Sequence, residues 1–319
     1  MRVLVTGANG FVGSAAVQRL AQRGHSVVAQ TRQMQALPWP CDADITSCVT
    51  DLDQANGVRK ALQGCDWVLH TAARVHQVHE TAADPLEAYR KVNTQYTLDL
   101  ARAAAAQGIQ RFVFLSSIKV NGEWTAKGQA FRADDAVAPT DPYGVSKLEA
   151  ELGLRAIAAQ TGMQVVIMRP PLVYGPGVKA NFLTLMRWLA RGVPLPLGAI
   201  DNQRSLVGLG NLVDLLETCL THPAAANHTF LASDGHDVSV TELLTALAAA
   251  LQVEARLLPV PPPWLERGLA LVGRAEITKR LCSNLAVDTE KTRTLLNWTP
   301  PYSLAQGLQA TAAHYLANR

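Results

Sequence analysis

Thr6-Gly7-Ala8-Asn9-Gly10-Phe11-Val12-Gly13 follows the apolar run Arg2-Val3-Leu4-Val5 and opens into Phe11 to Arg23, where apolar residues recur at helical spacing. Glycines three residues apart at a strand-to-helix junction have separate uses. Gly7 permits a tight turn, Gly10 lets a pyrophosphate reach the backbone, and Gly13 lets the helix lie close to the sheet. The start of that helix offers unpaired N–H groups to an anion. The stretch predicts a dinucleotide-binding turn, with Asn9, Phe11 and Val12 in its lining; the alternatives are a structural turn or another ligand.

Outward from that turn, short apolar runs at Ser26 to Gln30, Ser47 to Val49, Trp67 to His70, Arg111 to Leu115 and Val165 to Met168 alternate with helical stretches, notably Leu86 to Gln107 and Tyr143 to Gln160. Alternation of this kind predicts an α/β fold, a Rossmann-like doubly wound parallel sheet covered on both faces. After Arg169-Pro170-Pro171 the texture changes to loops rich in proline and glycine around a short helix near Phe182 to Ala190. A helix from Leu209 to Leu220, a strand at Thr229 to Ala232 and a helix at Val240 to Leu251 read as a return to the sheet. The expected division is a dinucleotide domain of residues 1–170 plus about 209–250, with a smaller interleaved C-terminal lobe of 171–208 and 251–319.

The second strand decides which dinucleotide fits. An unmodified adenine-side ribose usually meets a carboxylate there, but the chain reads Val27-Val28-Ala29-Gln30-Thr31-Arg32, with no acid until Asp42. Arg32 suits a 2′-phosphate, so NADP(H) is favoured over NAD(H), which stays possible. The other reading of Arg32 is a solvated surface charge. Asp51, beside Leu52, either accepts from the adenine amino group or caps the next helix. Thr71, Ala72 and Ala73 keep the end of the fourth strand slim enough for a cofactor to cross it.

Tyr143 and Lys147 stand four residues apart in a segment that turns helical after Pro142, which puts both on one face. There an ammonium lowers the pKa of the phenol and holds a nicotinamide ribose. Ser117 follows the strand Arg111 to Leu115 at the edge where open parallel sheets place ligands, and its hydroxyl is suited to the same substrate oxygen as Tyr143. Taken singly, these residues read as a core aromatic, a solvated lysine and a helix cap. In order behind a dinucleotide turn they read as a proton-transfer station.

The bulk properties agree. With 319 residues, 29 basic and 26 acidic side chains and 48% hydrophobic residues, the chain has ample core and no basic block to track nucleic acid. Cys41, Cys48, Cys65, Cys219 and Cys282 form no ligand-spaced cluster, so neither a disulfide framework nor a zinc site is expected. No export signal or membrane-spanning run is visible, and a cytoplasmic protein is expected.

TGANGFVG, Leu115-Ser116-Ser117 and Tyr143-Gly144-Val145-Ser146-Lys147 resemble the extended short-chain dehydrogenase/reductase family, in its nucleotide-sugar epimerase, dehydratase and reductase branch. The resemblance implies that Tyr143 is the acid or base, that Lys147 supports it and orients the ribose, and that Ser117 orients the sugar oxygen. It further implies that Asn93 steadies the sheet beside the cofactor and that Pro170 to Val173 meets the nicotinamide. For a nucleotide-diphosphate sugar it points to Asn181 and Arg204, with Arg280 as a weaker third; guanidinium groups suit a diphosphate, and the other reading of each arginine is a surface charge. Arg74 is a further substrate candidate, and Lys119 either reaches the sugar or diphosphate or faces solvent. A homodimer across the two long helices is also implied.

Departures from the family pattern separate the reactions. Lys119 and Asn121 replace a small residue and a tyrosine common in epimerases, while Asp134-Asp135 lie too far along to serve as a dehydratase acid pair. His76 and His79 have no third ligand in view, so no metal is expected. With Arg32 and Asn121, the sequence favours a 4-ketoreductase of a UDP- or dTDP-4-keto-6-deoxyhexose that takes hydride from NADPH and a proton from Tyr143. The alternatives are a UDP-sugar 4-epimerase with tightly bound NAD and a non-catalytic dinucleotide sensor.

Overall fold

Along Arg2–Thr6 (β1), Val3 and Val5 pack on one side of a sheet and Leu4 on the other, all buried. A strand apolar on both faces belongs inside a parallel sheet. The computed structural model describes residues 1–33, 44–75, 84–271 and 281–319. After β1 come α1 (Phe11–Gln22), β2 (Ser26–Thr31), β3 (Ile45–Val49), α2 (Ala55–Leu62), β4 (Trp67–His70), α3 (Pro85–Tyr89) and α4 (Tyr96–Ala106). The chain continues through β5 (Arg111–Leu115), α5 (Pro142–Thr161), β6 (Gln164–Arg169), β7 (Leu172–Tyr174), α6 (Ala180–Ala190), β8 (Leu206–Gly208) and α7 (Leu209–Thr221). It ends with β9 (Thr229–Leu231), α8 (Val240–Ala250), α9 (Pro262–Leu271), α10 (Glu290–Leu296) and α11 (Leu304–Ala317).

The main sheet has seven strands in the order β3-β2-β1-β4-β5-β6-β9, all parallel, as in the doubly wound fold the sequence predicts. Strand order reverses between β1 and β4, and the crevice beyond their C-terminal ends is where such sheets bind ligands. One face is covered by α1 and α7 through Val17, Leu20, Leu212 and Leu216, the other by α2, α4 and α5 through Val58, Leu100, Leu154 and Ile157. A third cluster, with Phe182, Met186, Leu244, Leu247 and Leu308, forms the core of the second lobe. Helix α8 packs there with α6 and α11, although it was grouped with the sheet by sequence.

Two local features differ from the sequence reading. The stretch expected as one helix, Leu86 to Gln107, carries a π-helical segment, Arg90–Gln95, between α3 and α4. The proline-rich stretch after β6 contains β7 and β8, which pair in parallel as a separate two-stranded sheet. Within α2, Gly57 lies so close to Thr50 that a Cβ would collide with its side chain, which accounts for a glycine inside this helix.

Arg111, almost fully buried at the start of β5, ties α7 to the sheet. Its Nη1 donates to the carbonyls of Cys219 (3.0 Å), Leu220 (2.7 Å) and His222 (2.8 Å), satisfying orphan acceptors at the helix end. Nε and Nη2 grip Gln164 Oε1 at 2.9 and 2.6 Å. Arg111→Met is expected to lower stability by about 3 kcal/mol, since buried acceptors would lose charged donors. Thermal denaturation reads this as a drop of several degrees, and an unchanged midpoint would refute the clamp.

Candidate active site

At the end of β1 the chain turns through Gly7 at φ +65°, where a Cβ would meet Ala72 Cα at 2.8 Å and Ala72 N at 2.9 Å. Gly13 faces the carbonyl of Gly7 with no room for a side chain, and a Cβ there would also stand 2.7 Å from Thr71 Oγ1. The cap position of α1 is Gly10, with no side-chain capping bond and no acid in the first turn, while Asn9 and Gly10 are exposed. An open helix N-terminus in a cradle that any Cβ would fill fits the pyrophosphate of a dinucleotide.

Where a carboxylate was absent from the sequence, Gln30 closes the site. Its Oε1 accepts from Gly7 N at 3.2 Å, its Nε2 donates to the carbonyl of Thr50 at 2.6 Å, and its own carbonyl accepts from Ala8 N at 3.0 Å. Arg32 lies exposed just beyond β2. Asp51 is half-buried and does not cap α2, whose cap position is Gln54 without a side-chain bond. Leu52 is buried, and Thr71 Oγ1 donates to the carbonyl of Thr6 at 2.6 Å.

The π-helical segment places Asn93, fully buried, between three elements. Its Oδ1 accepts from Arg74 N at 2.8 Å, and its Nδ2 donates to Arg74 O and to Ser146 Oγ, both at 3.1 Å. Asn93 therefore locks the segment after β4, with Ala72, Ala73 and Arg74, against α5. The Arg74 guanidinium lies over the Tyr89 ring at 5.6 Å, and Tyr89 meets Tyr143 edge to face at 5.9 Å. Tyr89 escaped the sequence reading because nothing in its neighbours announces this contact.

Asp141 caps α5 by accepting from Gly144 N at 2.6 Å, so the helix starts with Tyr143 one turn ahead of Lys147. The Tyr143 phenol bonds the Ser117 side chain, and its pKa is pushed well above the usual phenol range, first by burial and then by the Asp141 charge. Ser117 also caps a 3-10 turn, Ile118–Val120, accepting from Lys119 N at 3.3 Å. Lys147 is 1% exposed, donates to the carbonyl of Leu115 at 2.9 Å and stands 4.4 Å over the Phe114 ring. Burial pulls this ammonium down to about 7, with Glu151 opposing the shift.

Pro170 is buried beside Ser117, its carbonyl accepting from Ile118 N at 3.0 Å, and Val173 is half-buried on β7. Lys119 pairs with Asp141 and, at 3.7 Å, with Glu123, so its charge is engaged within the protein. Asn121 is also engaged: its Oδ1 accepts from Arg169 at 2.9 Å and its Nδ2 donates to the carbonyl of Arg132 at 2.9 Å. Asn181 is exposed in the first turn of α6, after Ala180 at φ +54°. Arg204 is held by backbone bridges to Val238 and Leu285, and its Nη1 donates to Ser283 O at 3.3 Å. Arg280, His76, His79 and Cys41 lie outside the described residues. Among the described residues no three His, Cys, Asp or Glu side chains gather as metal ligands, and no helix is long and apolar enough to cross a membrane.

A switch-point crevice carrying a glycine cradle and a Ser117, Tyr143, Lys147 cluster defines a dinucleotide-dependent enzyme of the short-chain dehydrogenase/reductase type. The model of the NAD dependent epimerase/dehydratase family matches residues 3–233, and the chain belongs to that family. It is 44% identical over 315 residues to a UDP-glucose 4-epimerase of Vibrio cholerae, covering 98% of this chain and 95% of the relative. A second relative, an N-acetyl-alpha-D-glucosaminyl-diphospho-ditrans,octacis-undecaprenol 4-epimerase of Escherichia coli O157:H7, is 26% identical, with 97% and 93% covered. Among solved structures, the UDP-glucuronic acid 4-epimerase from Bacillus cereus in complex with NAD superposes with a TM-score of 0.81, 21% identity and coverage of 100% and 99%, a likeness of fold.

Proposed function

We propose that the protein is a UDP-hexose 4-epimerase that retains NAD through its catalytic cycle. The observation that carries this reading is the 44% identity, over 98% of the chain, to the Vibrio cholerae UDP-glucose 4-epimerase, together with the presence of Ser117, Tyr143 and Lys147. It replaces the 4-ketoreductase favoured by sequence. That preference rested partly on Asn121, and Asn121 is buried and spends both ends of its amide on Arg169 and Arg132 rather than on a substrate.

NAD, when bound, supplies a hydride acceptor and then a hydride donor at one sugar carbon. Once ionised opposite the Lys147 ammonium, the phenolate oxygen of Tyr143 would take the proton of the 4-hydroxyl, becoming the phenol, and later return it, while Ser117 holds the same oxygen. Lys147 balances charge as the phenol changes state. Because the proton and hydride both come back, no net cofactor is consumed. In the second lobe, Asn181 and Arg204 are the groups assigned to the diphosphate, with Arg280 a further candidate; two long helices, including α5 with its exposed Leu152, are assigned to a homodimer contact.

The test incubates purified protein with UDP-galactose and UDP-glucose, adding no cofactor, and identifies the nucleotide released on denaturation. Interconversion and released NAD are expected. Stoichiometric NADPH loss with a UDP-4-keto sugar, without interconversion, would restore the reductase. Arg32, exposed at the end of β2, makes a parallel titration with NADP worthwhile, and tighter NADP binding would overturn the choice of dinucleotide.

A further inference from the structure

Three successive turns of α5 grip three neighbouring residues, Leu115, Ser116 and Ser117, at and just beyond the end of β5. Tyr143 bonds the Ser117 side chain, Lys147 Nζ donates to the carbonyl of Leu115 at 2.9 Å, and Glu151 Oε1 accepts from Ser116 Oγ at 2.6 Å. Glu151 is completely buried, yet no step above uses it. Arg169, 1% exposed at the end of β6, clamps it through Nε to Oε1 at 2.9 Å and Nη2 to Oε2 at 2.5 Å, and sends Nη1 to Asn121.

We propose that Glu151, held by Arg169, is a positioning residue that keeps the buried Lys147 ammonium charged and fixes Ser116 so that Ser117 faces Tyr143. This rests on the reading of Tyr143 and Lys147 as the proton-transfer pair. A lone ammonium at this depth sheds its proton. From β4, His70 faces it, but burial and Lys147 itself pull that imidazole down to about 3, so it stays neutral. From β5, Phe114 offers only its ring face. On its own helix stand the protonated Tyr143 and, one turn further on, Glu151, whose charge raises the ammonium. From β6, Arg169 spends its charge on both Glu151 oxygens, while Arg155 approaches Glu151 at 3.6 Å from the rim. Asn121 then has a purpose: its amide oxygen fixes the guanidinium that aims the carboxylate.

The experiment compares Glu151→Gln with the double variant Glu151→Gln, Arg169→Met, which removes the stranded cation and keeps the protein folded if the single variant is unstable. NAD affinity and UDP-galactose turnover are followed from acid to alkaline pH in wild type, both variants and Lys147→Met. Wild type should lose NAD affinity and turnover as Lys147 discharges with rising pH. Without Glu151 that loss should move toward acid by about one pH unit, a tenfold deficit at a fixed pH on its flank, and Lys147→Met should remove it. A variant with a lower melting point but an unmoved limb shows a merely structural pair and overturns the proposal. A wild type that binds NAD with the expected limb but epimerises nothing refutes the function while leaving the role of Glu151 measurable.

Discussion

Tyr143→Phe is expected to cut epimerase turnover by about a thousandfold or more while NAD affinity and melting temperature stay near wild type. The change deletes one oxygen. The ring keeps its edge-to-face contact with Tyr89 at 5.9 Å, so packing between α3 and α5 persists. What disappears is the phenol that bonds Ser117 and that burial and Asp141 hold protonated at neutral pH. Neither neighbour replaces it. Lys147 is committed to the carbonyl of Leu115, and the Ser117 hydroxyl is a far weaker acid than a phenol. Turnover is read as UDP-glucose formed from UDP-galactose, and binding by calorimetry with NAD. Activity within tenfold of wild type would remove Tyr143 from the chemistry.

The parts of the site legible in sequence are those set by short periods. The apolar run in Arg2–Thr6 and the glycine spacing behind it point to β1 and the cradle, and a spacing of four gives Tyr143 and Lys147 a common helix face. The unread parts depend on contacts between distant segments. Glu151 meets Arg169 from the next strand and Ser116 from the previous one, so its burial shows only once three elements are assembled. Gln30 looked like a missing acid, yet its amide is bonded to Gly7 and Thr50, which no local pattern encodes. The π-helical segment escaped because its residues fit ordinary helical periodicity, and only the locked position of Asn93 makes the altered winding useful. Arg111 stands in the sequence only as the first residue of a strand, and its hold on the end of α7 exists only once α7 lies beside β5.

Gly13→Ala is expected to cost the protein its dinucleotide and much of its stability, although it adds a single methyl group. The added Cβ would press on the carbonyl of Gly7, stand 2.9 Å from Gly7 C and lie 2.7 Å from Thr71 Oγ1. Neither neighbour gives way cheaply. Gly7 is backbone at the turn itself, and Thr71 is bonded to Thr6 O at 2.6 Å. Relief requires α1 to lift from β1, which opens the packing of Val17 and Leu20 and moves the N–H groups meant for the pyrophosphate. Overpacking of this kind costs about 1–3 kcal/mol, and loss of cofactor contacts adds to it. Gly24→Ala is the matched control. Its φ of +78° imposes a backbone strain of about 1 kcal/mol, but no atom lies within 4 Å of the new methyl. That variant should melt slightly lower and still carry NAD. Cofactor content after purification, read with thermal denaturation, separates the two, and NAD retained at wild-type level in Gly13→Ala would show that close approach of α1 is not what forms the cradle.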